Sequence, residues 1–594
     1  MGGFVLIRKA PGDNISATQM AALRAFAQMG MPAPCLIRRE NYVLAVYPKR
    51  QATEPVLKQF PDGDFVCSCG TLIYDDLSGE AAATAFYRDY NGSPETRERA
   101  MGHYALLLCK GGQTEVILDS FGGYHVFFDA AKRIVSSSFL AVAAALGRLT
   151  LGAQNACEYV FDGVIHGNDT LFDEISLAPV NATIVMRDRG FEILSCPPHI
   201  PEMAAAEPFE VMIGQSLELL DRYFKAVTAA FGNRVACALS GGYDSRLILA
   251  LLRRHGIKPR VYVYGPPGDK DVESARAIAK GEGFPLDVVD KKQLVIPPSE
   301  FAAVALSNFL DADGYTWEGI FHNGVEHSLR ASRVSGNFLA LNGGAGEIWR
   351  NFFYLPDRSY SPREFIWSRW SMFDPRVCTS AFDENVYLDN LEDKLAVLIP
   401  EGSTLLPRPT IEWLYHNFRS RHWEGRINSI NNEYGYAALA YCERFLTEHV
   451  SVIPMGWKNH GAYEAELIRR TDQRLAAYPS IYGHDFIAPP PLAHRLRDYA
   501  TYLRPPWLRR FSYRVKHRAH PARKWPDYLR KEYRDAALPG GVQVMSELFQ
   551  VDRVSDPAHA GRILTLEYLV KQFEGRIRVD FHHSSRLSYH KCAA

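Results

Sequence analysis

Six consecutive residues near the middle of the chain, Ser240, Gly241, Gly242, Tyr243, Asp244 and Ser245, have the types and spacing to hold a phosphate group. Glycines at 241 and 242 let the backbone approach an anion with no Cβ in the way. Ser240 and Ser245 add hydroxyl donors, and Asp244 can hold the magnesium that accompanies a polyphosphate. A second glycine-rich stretch, Leu341 to Glu347, supplies Gly343 and Gly344 and ends in an acid. The bland alternative for the first stretch is an ordinary strand–helix turn capped by Asp244. Neither a loop ending Gly-Lys-Ser/Thr nor a G-x-G-x-x-G occurs in the chain, so this would be a different phosphate loop.

The elements flanking the loop are those an anion site needs. Arg234 to Leu239 is short, apolar and bounded, as a buried strand should be. A helix should start at about Asp244 and stop at Gly256, after Arg253, Arg254 and His255, whose charges suit a helix C-terminus. Exposed backbone N–H groups and the positive end of the helix dipole then converge on the loop. Further on, Arg260 to Tyr264 reads as a strand, Val272 to Lys280 as a helix and Leu286 to Asp290 as a strand. That alternation argues for a parallel sheet, whose ligands sit outside the carboxyl ends of the strands. From about 410 to 480 the pattern is mostly helical.

Residues 1 to about 195 look different. Short apolar segments at Tyr42–Tyr47, Tyr104–Cys109, Glu115–Leu118 and Ala182–Met186 are separated by turn residues, a β-rich signature. A proline-rich stretch from Ser195 to Pro208 is a plausible linker. The expected units are 1–197, 209–490 and a basic, aromatic-rich extension, 491–594. In that extension Arg509, Arg510, Arg514, Lys516, Arg518, Arg523 and Lys524 alternate with Trp507, Phe511, Tyr513 and Trp525. Such a run can bind nucleic acid, but more often it is a solvated helix face or a subunit contact.

Composition narrows the class. The chain has 594 residues, enough for several cores. Lys+Arg and Asp+Glu both number 67, so net charge points to neither nucleic acid nor membrane. No apolar run approaches the roughly 18–20 residues of a spanning helix, and the N-terminus does not read as a secretory signal. Ten scattered cysteines read as reduced core residues, which together place the chain in the cytoplasm. Cys67 and Cys69 lack a second pair to complete a metal site, and His582, His583, His590 and Cys592 form an equally unsupported cluster at the tail.

Taken together, the two glycine-rich loops resemble those of the class B asparagine synthetases and their relatives, the β-lactam synthetases and lasso-peptide cyclases. The first half follows the order of the family's N-terminal domain, with Asp119 to Phe128, Ser136 to Leu146 and Gly163 to Val180. The resemblance covers roughly 1–490. It implies an α/β plus α+β chain: an Ntn-hydrolase-like β-rich sandwich, then an ATP-pyrophosphatase-type parallel α/β synthetase domain with a helical C-terminal part. It also implies ATP and Mg²⁺, with adenine near Val263 and Tyr264 and the metal on Asp244 and Glu347. A substrate carboxylate would be adenylated with loss of pyrophosphate, then joined to an amine or ammonia. Members commonly self-associate.

Three departures define the kind of relative. The glutamine-using members begin Met-Cys-Gly, whereas this chain begins Met1, Gly2, Gly3, and the family's glutamine-holding Asn-Gly-Glu appears as Cys69, Gly70, Thr71. Glutamine hydrolysis is therefore expected to be lost, and neither Cys67 nor Cys69 is expected to replace the nucleophile, because no N-terminal amine is expected beside them. The family's phosphate-reaching lysine is missing: the corresponding stretch runs from Tyr478 to Phe486, and no lysine occurs between Lys458 and Lys516. His484 is one candidate replacement. Third, Asp311 to Glu318 lies where relatives line the carboxylate pocket; Trp317 and Glu318 could select a large or cationic substrate, with Asp311–Gly314 read as a surface turn. Arg426, Asn431, Asn432 and Glu443 fall on the helical stretch whose family counterpart faces the site, where buried ion pairing is at least as good a reading. The segment Ile348 to Tyr354 departs from all three named groups and suggests a branch serving a natural product or a polysaccharide. The expected function is an ATP-dependent amide ligase acting on a small-molecule or peptide carboxylate, with no membrane or nucleic-acid partner. The alternatives are a nucleotide-binding scaffold without turnover and a phosphate-loop enzyme acting on tRNA.

Overall fold

A computed structural model of the chain describes residues 1–9, 16–51, 57–188, 190–195, 199–202, 207–517 and 525–581. The tail cluster from His582 to Cys592, Arg518, Arg523 and Lys524 of the basic run, and part of the expected linker lie outside the described residues.

The first half is built on two antiparallel sheets. In one, Gly3–Arg8 lies between Tyr42–Tyr47 and Ile134–Ser136. In the other, Phe65–Tyr74 pairs along its length with Met101–Lys110, which pairs with Gln113–Leu118. Period-two alternation sorts their side chains into layers. Phe4, Leu6, Leu44, Val46, Cys67, Cys69 and Leu107 fill the space between the sheets. Val5, Ile7 and Ala45 face outward, onto a core that includes Ala22 and Phe26 of the helix Ser16–Gln28. On the far side Val66, Leu72 and Tyr74 pack on Ala82, Ala83 and Phe86 of the helix Gly79–Asp89. Both faces of the central strands are thus covered by protein, so Gly3–Arg8, Tyr42–Tyr47, Phe65–Tyr74 and Met101–Lys110 are buried almost throughout, whereas the edge strand Cys35–Arg38 is not.

The second half carries a five-stranded parallel sheet in the order Leu286–Val289, Arg260–Tyr264, Val235–Ala238, Leu339–Asn342, Tyr436–Leu439. The mixed α/β architecture expected from the sequence holds, and the helix Asp244–Arg254 falls where the apolar spacing places it. Tyr436–Leu439 was not legible as a strand: four small, mostly apolar residues after a helix carry no period of their own. The chain steps outward for three strands, then crosses to the other side of the first. The loops after Val235–Ala238 and Leu339–Asn342 therefore adjoin at the switch point, where open α/β sheets bind ligands.

The final hundred residues are woven into both halves. The helix Pro557–Gln572 is buried over most of its length. Arg562 donates to the carbonyls of Trp317 and Val160. The strand Ile577–Asp580 pairs in parallel with Leu149–Gly152 of the first half.

The stretch read as a surface turn, Asp311–Gly314, is instead buried between the halves. Asp313 accepts hydrogen bonds from Ser138 Oγ, from the backbone of Phe139 (2.7 Å) and Leu140 (3.0 Å), and lies 3.3 Å from Arg426. Asp311 is ringed by Arg50, Arg330, His327 and Tyr434. Alternating acid and small residues resemble turn chemistry locally; only cations from distant segments reveal a buried network.

Candidate functional site

The loop from Ser240 to Ser245 leaves the first parallel strand at its carboxyl end. It is tied internally, with Ser245 Oγ accepting from the Ser240 backbone at 2.9 Å and Ser240 Oγ accepting from Gly242 at 3.2 Å. The Gly241 N–H donates to Asp271 at 2.7 Å, so that donor is occupied in the chain by itself. The second loop explains its own glycines. A Cβ on Gly346 would overlap Asp244 Oδ1, and one on Gly343 would press on Asp244 and Ser245 at 3.3 Å. Gly344 stands 3.3 Å, by the same measure, from Glu424 Cγ, and Ala345 adopts φ 66° to make the turn. The two loops can meet only because these positions lack side chains.

Where they meet, Asp244 is gripped by a residue the sequence did not single out. Arg350 Nη2 donates to both its carboxylate oxygens, at 2.9 and 2.7 Å. Arg350 Nε also lies 3.0 Å from Glu464. Glu347 accepts from Tyr415 Oη at 2.7 Å. Burial raises the Asp244 pKa, Arg350 pulls it back, and Glu347 adds to the rise. At Glu347 burial is outweighed by Arg350 and Arg419, which hold it below the usual carboxylate range. Burial, with Asp244 beside it, pushes Glu464 well up, against the pull of Arg350. Glu424 is brought to about 7 by burial, with Arg419 opposing and Glu347 reinforcing.

A stretch of π-helix, Tyr415–Ser420, joins the helices Arg408–Leu414 and Arg421–Tyr434 and carries Tyr415 and Arg419. Such wide turns recur at functional sites because they re-aim side chains within a helix. Neither Arg350 nor this turn has a local signature. Arg350 does fall in Ile348–Tyr354, the segment whose departure from the resembled families was visible, and Trp349 beside it anchors the loop, fully buried against Tyr441 and Tyr463.

A cavity of about 370 Å³ opens beside this cluster. Glu347, Arg350 and Phe352 line it from the second loop, Arg369 from a neighbouring helix, and Tyr499 and Arg509 from the final hundred residues. Arg509 is fixed by the carbonyls of Phe353 (2.6 Å) and Tyr354. Arg510 and Arg514 both pair with Glu384, so much of the basic run is spent inside the chain.

The other expected residues are dispersed. Val263 is buried, and the Tyr264 ring has Lys291 Nζ at 4.4 Å and Arg333 at 4.7 Å. Trp317 stacks on Trp423 with ring centroids 4.7 Å apart and does not line the large cavity; Glu318 is exposed. The segment around His484 is clamped to the first loop: Arg246 donates to the Tyr478 carbonyl at 2.7 Å, and the Ile481 N–H to the Gly241 carbonyl at 3.2 Å. His484 itself turns aside, its Nδ1 donating to the Asp485 carbonyl at 2.6 Å. The side chain that segment sends toward the cluster is Tyr482, 3.4 Å from Arg350.

The first half holds a second group of titratable residues. The Met1 amine donates to the Ser68 carbonyl at 2.6 Å and interacts with Cys67 and Cys69. This corrects the expectation that no amine stands beside those thiols: the packing of one sheet on the other brings residue 1 against Ser68, and the Gly70 N–H donates back to the Met1 carbonyl at 3.0 Å, a closeness that linear separation hides. Burial lowers Lys49 to about 7, and its ammonium donates to the carbonyls of Asn432 (2.8 Å) and Gly435 (2.7 Å). Thr71 Oγ1 donates to Asn432 at 2.7 Å. A Cβ on Gly2 would sit 2.9 Å from the Glu433 carbonyl and 3.0 Å from Lys49 Cα. Segment 432–435 thus packs against Gly2 and Lys49.

Among the described residues no group of three or more His, Cys, Asp or Glu is placed to hold a metal ion. A magnesium ion bound with a polyphosphate takes only one or two protein carboxylates, however, and Asp244 and Glu347 supply two beside a cation already in place. Among the described residues no helix is long and apolar enough to cross a membrane.

No family model matches the chain, and no curated protein matches it. Among solved structures, it is similar to glutamine phosphoribosylpyrophosphate (PRPP) amidotransferase from B. subtilis complexed with ADP and GMP, at 11% identity and TM-score 0.22, covering 48% of this chain and 65% of that one. A structure of the allosteric regulatory enzyme of purine biosynthesis matches at 10% identity and TM-score 0.24, over 50% of this chain and 82% of that one. Glutamine-dependent NAD+ synthetase from Acinetobacter baumannii in complex with ADP matches at 14% identity and TM-score 0.15, over 58% and 75%. Likenesses of this size carry no argument about activity, which rests on the chain's own loops and cavity.

Proposed function

We propose that the protein is an ATP-dependent, AMP-forming amide ligase that does not hydrolyse glutamine. The observation that carries this reading is the pair of glycine-rich loops at the switch point of the parallel sheet, with Glu347 and Arg350 lining a cavity large enough for a substrate and Asp244 held by Arg350 beside it. A substrate carboxylate oxygen attacks the α-phosphorus of ATP, and the bond to the β-phosphate oxygen breaks with release of pyrophosphate. An amine nitrogen then attacks the acyl carbon, the carbon–oxygen bond to AMP breaks, and the amine's proton leaves to a base. Glu424, near pH 7, is a carboxyl group beside both loops suited to that proton. Magnesium, held by Asp244 and Glu347, would neutralise charge on the departing pyrophosphate. Arg350 then exchanges Asp244 for phosphate oxygens and supplies the positive charge of the missing lysine.

The reading without glutaminase is supported by Gly2, where any side chain meets the Glu433 carbonyl, and by segment 432–435, whose carbonyls take up the Lys49 ammonium. The scaffold reading draws on the Gly241 N–H already held by Asp271. One experiment separates them: calorimetric titration with a non-hydrolysable ATP analogue and magnesium, followed by pyrophosphate exchange across a panel of carboxylic acids. Binding that Asp244→Ala abolishes, with exchange dependent on one acid, supports the ligase. Binding without exchange for any acid favours the scaffold, and no binding removes both. The tRNA reading loses its best support, because Arg509, Arg510 and Arg514 are engaged within the chain.

A further inference from the structure

The cavity beside Glu347 contains positive charge that the adenylation chemistry does not use. Arg369 opens into it and has no carboxylate or carbonyl partner among the described residues. Its contact is the Phe352 ring, 5.5 Å from the guanidinium carbon. Arg419 lies on the same ring at 4.7 Å, and its nearest carboxylate, Glu424, is 3.9 Å away. Two guanidinium groups thus share one aromatic ring with little opposing charge at contact distance. Arg369 is exposed where it opens into the cavity; desolvation by the protein around it, together with Arg419, draws its pKa down to about 10 against the pull of Asp162 and Glu347. Other arginines near the cavity are satisfied: Arg350 by Asp244, Arg509 by two carbonyls. A guanidinium left unpaired beside another of its kind is an arrangement that an incoming anion stabilises, and the planar fork favours carboxylate or phosphate.

We infer that Arg369, with Arg419 behind it, binds an anionic group of the substrate, a carboxylate or phosphate distinct from the carboxylate that is activated. This rests on the ligase reading for the identity of the cavity as a substrate site. Phe352 and Tyr499, which also line the cavity, would cover the apolar part between the substrate's two ends.

The test uses the full chain, inorganic phosphate and the dicarboxylates succinate, glutarate and adipate, read by tryptophan fluorescence, since Arg419 lies 5.2 Å from the Trp423 ring. A saturable response is expected, weakened roughly ten- to a hundredfold by Arg369→Gln and largely restored by Arg369→Lys. Phosphate alone giving the response assigns a phosphorylated substrate; a dicarboxylate with a length optimum assigns a second carboxylate. Equal responses from wild type and Arg369→Gln, or none from any probe, overturn the inference. Binding of the ATP analogue, measured in parallel, keeps the two readings separate: it should survive Arg369→Gln, and its loss in wild type would defeat the ligase reading without touching the anion site.

A different observation points to a docking surface. Leu492, Leu496 and Leu503, then Trp507, Phe511 and Val515, are each 58–71% exposed along two helices, Leu492–Tyr502 and Pro506–Lys516, and the residue just after the first. Arg495, Arg497 and Lys516 are exposed among them. Between 487 and 516 the sequence holds a single carboxylate, Asp498, and it is engaged by His460 and His494. Large apolar side chains flanked by uncompensated bases fit an anionic lipid surface, on which such helices lie without crossing. We propose that this face docks on anionic membranes. Sedimentation with phosphatidylglycerol-containing vesicles should capture the protein, pure phosphatidylcholine should not, and Trp507→Glu with Phe511→Glu should release it. No capture, or equal capture by both lipids, overturns the proposal; a dimer in light scattering that the same variants dissolve assigns the face to a second copy.

Discussion

Two clusters of buried titratable groups can be compared within this one chain. In the first half the Met1 amine, Cys69 and Lys49 lie together, and the carbonyls of 432–435 fill the ground beside them. At the sheet switch point Asp244, Glu347 and Arg350 lie together at the edge of a cavity of about 370 Å³. Both have shifted pKa values, the feature by which active sites are often sought. What distinguishes them is room. A cluster that the fold has already satisfied with its own carbonyls is structural; one that ends in open space can bind.

The sharpest way to break that comparison is to close the open cluster. Gly346→Ala forces a Cβ onto Asp244, and binding of an ATP analogue should fall more than about a hundredfold in calorimetry. Gly214→Ala, in a helix with nothing near the new methyl group, is the matched control and should bind normally. Next in size, Arg350→Met should reduce pyrophosphate exchange by roughly a hundred- to a thousandfold, with Arg350→Lys recovering part of the loss. A normal rate in Arg350→Met would remove this arginine from the reaction.

The closed cluster should give nothing to lose. No glutamate release from glutamine is expected, and Cys69→Ser should leave that result unchanged; turnover that vanished in Cys69→Ser would reverse the comparison. Gly2→Ala should cost roughly 1–3 kcal/mol in chemical denaturation, because the methyl group meets backbone that cannot swing away.

The smallest effects concern pH. Burial raises Glu443 from 4.5 to about 7. Between those values the unfolded chain has released this proton and the folded chain retains it, so this group's contribution to stability falls as pH rises and levels off above 7. Glu443→Gln keeps an acceptor for the Gly102 N–H and should flatten the dependence of the unfolding midpoint between about pH 5 and 7. At the open cluster a base of pKa about 7 makes the rate of amide formation rise with pH through that value, and Glu424→Gln should remove the rise.

The two regions were also unequally legible. The alternation of apolar runs and amphipathic stretches from Arg234 to Val289 is local, and it placed three of the five parallel strands and the first phosphate-type loop. Asp244, Gly343, Gly344 and Glu347 could be picked out because the chemistry of a tight anion loop restricts residue type at each position. Arg350 could not, since an arginine three residues after an acid is ordinary on any surface. The same holds for Arg369 and Arg419, whose meaning comes from sharing the Phe352 ring. Trp317 and Glu318 suggested a pocket from their position, yet the stacking of Trp317 on Trp423 directs it away from the large cavity.

By itself, then, the sequence determined what depends on neighbours along the chain: strand and helix periods, the glycines that let two loops approach, and the absence of a nucleophile at position 2. Only the tertiary structure decided which charges face one another, that Met1 lies against Ser68, that 432–435 packs on Gly2 and Lys49, and that the final hundred residues help to wall the cavity. Pairing energies between charges depend on separation and on the exclusion of water, and both are set by segments hundreds of residues apart. Local patterns fix elements; distance in space fixes chemistry.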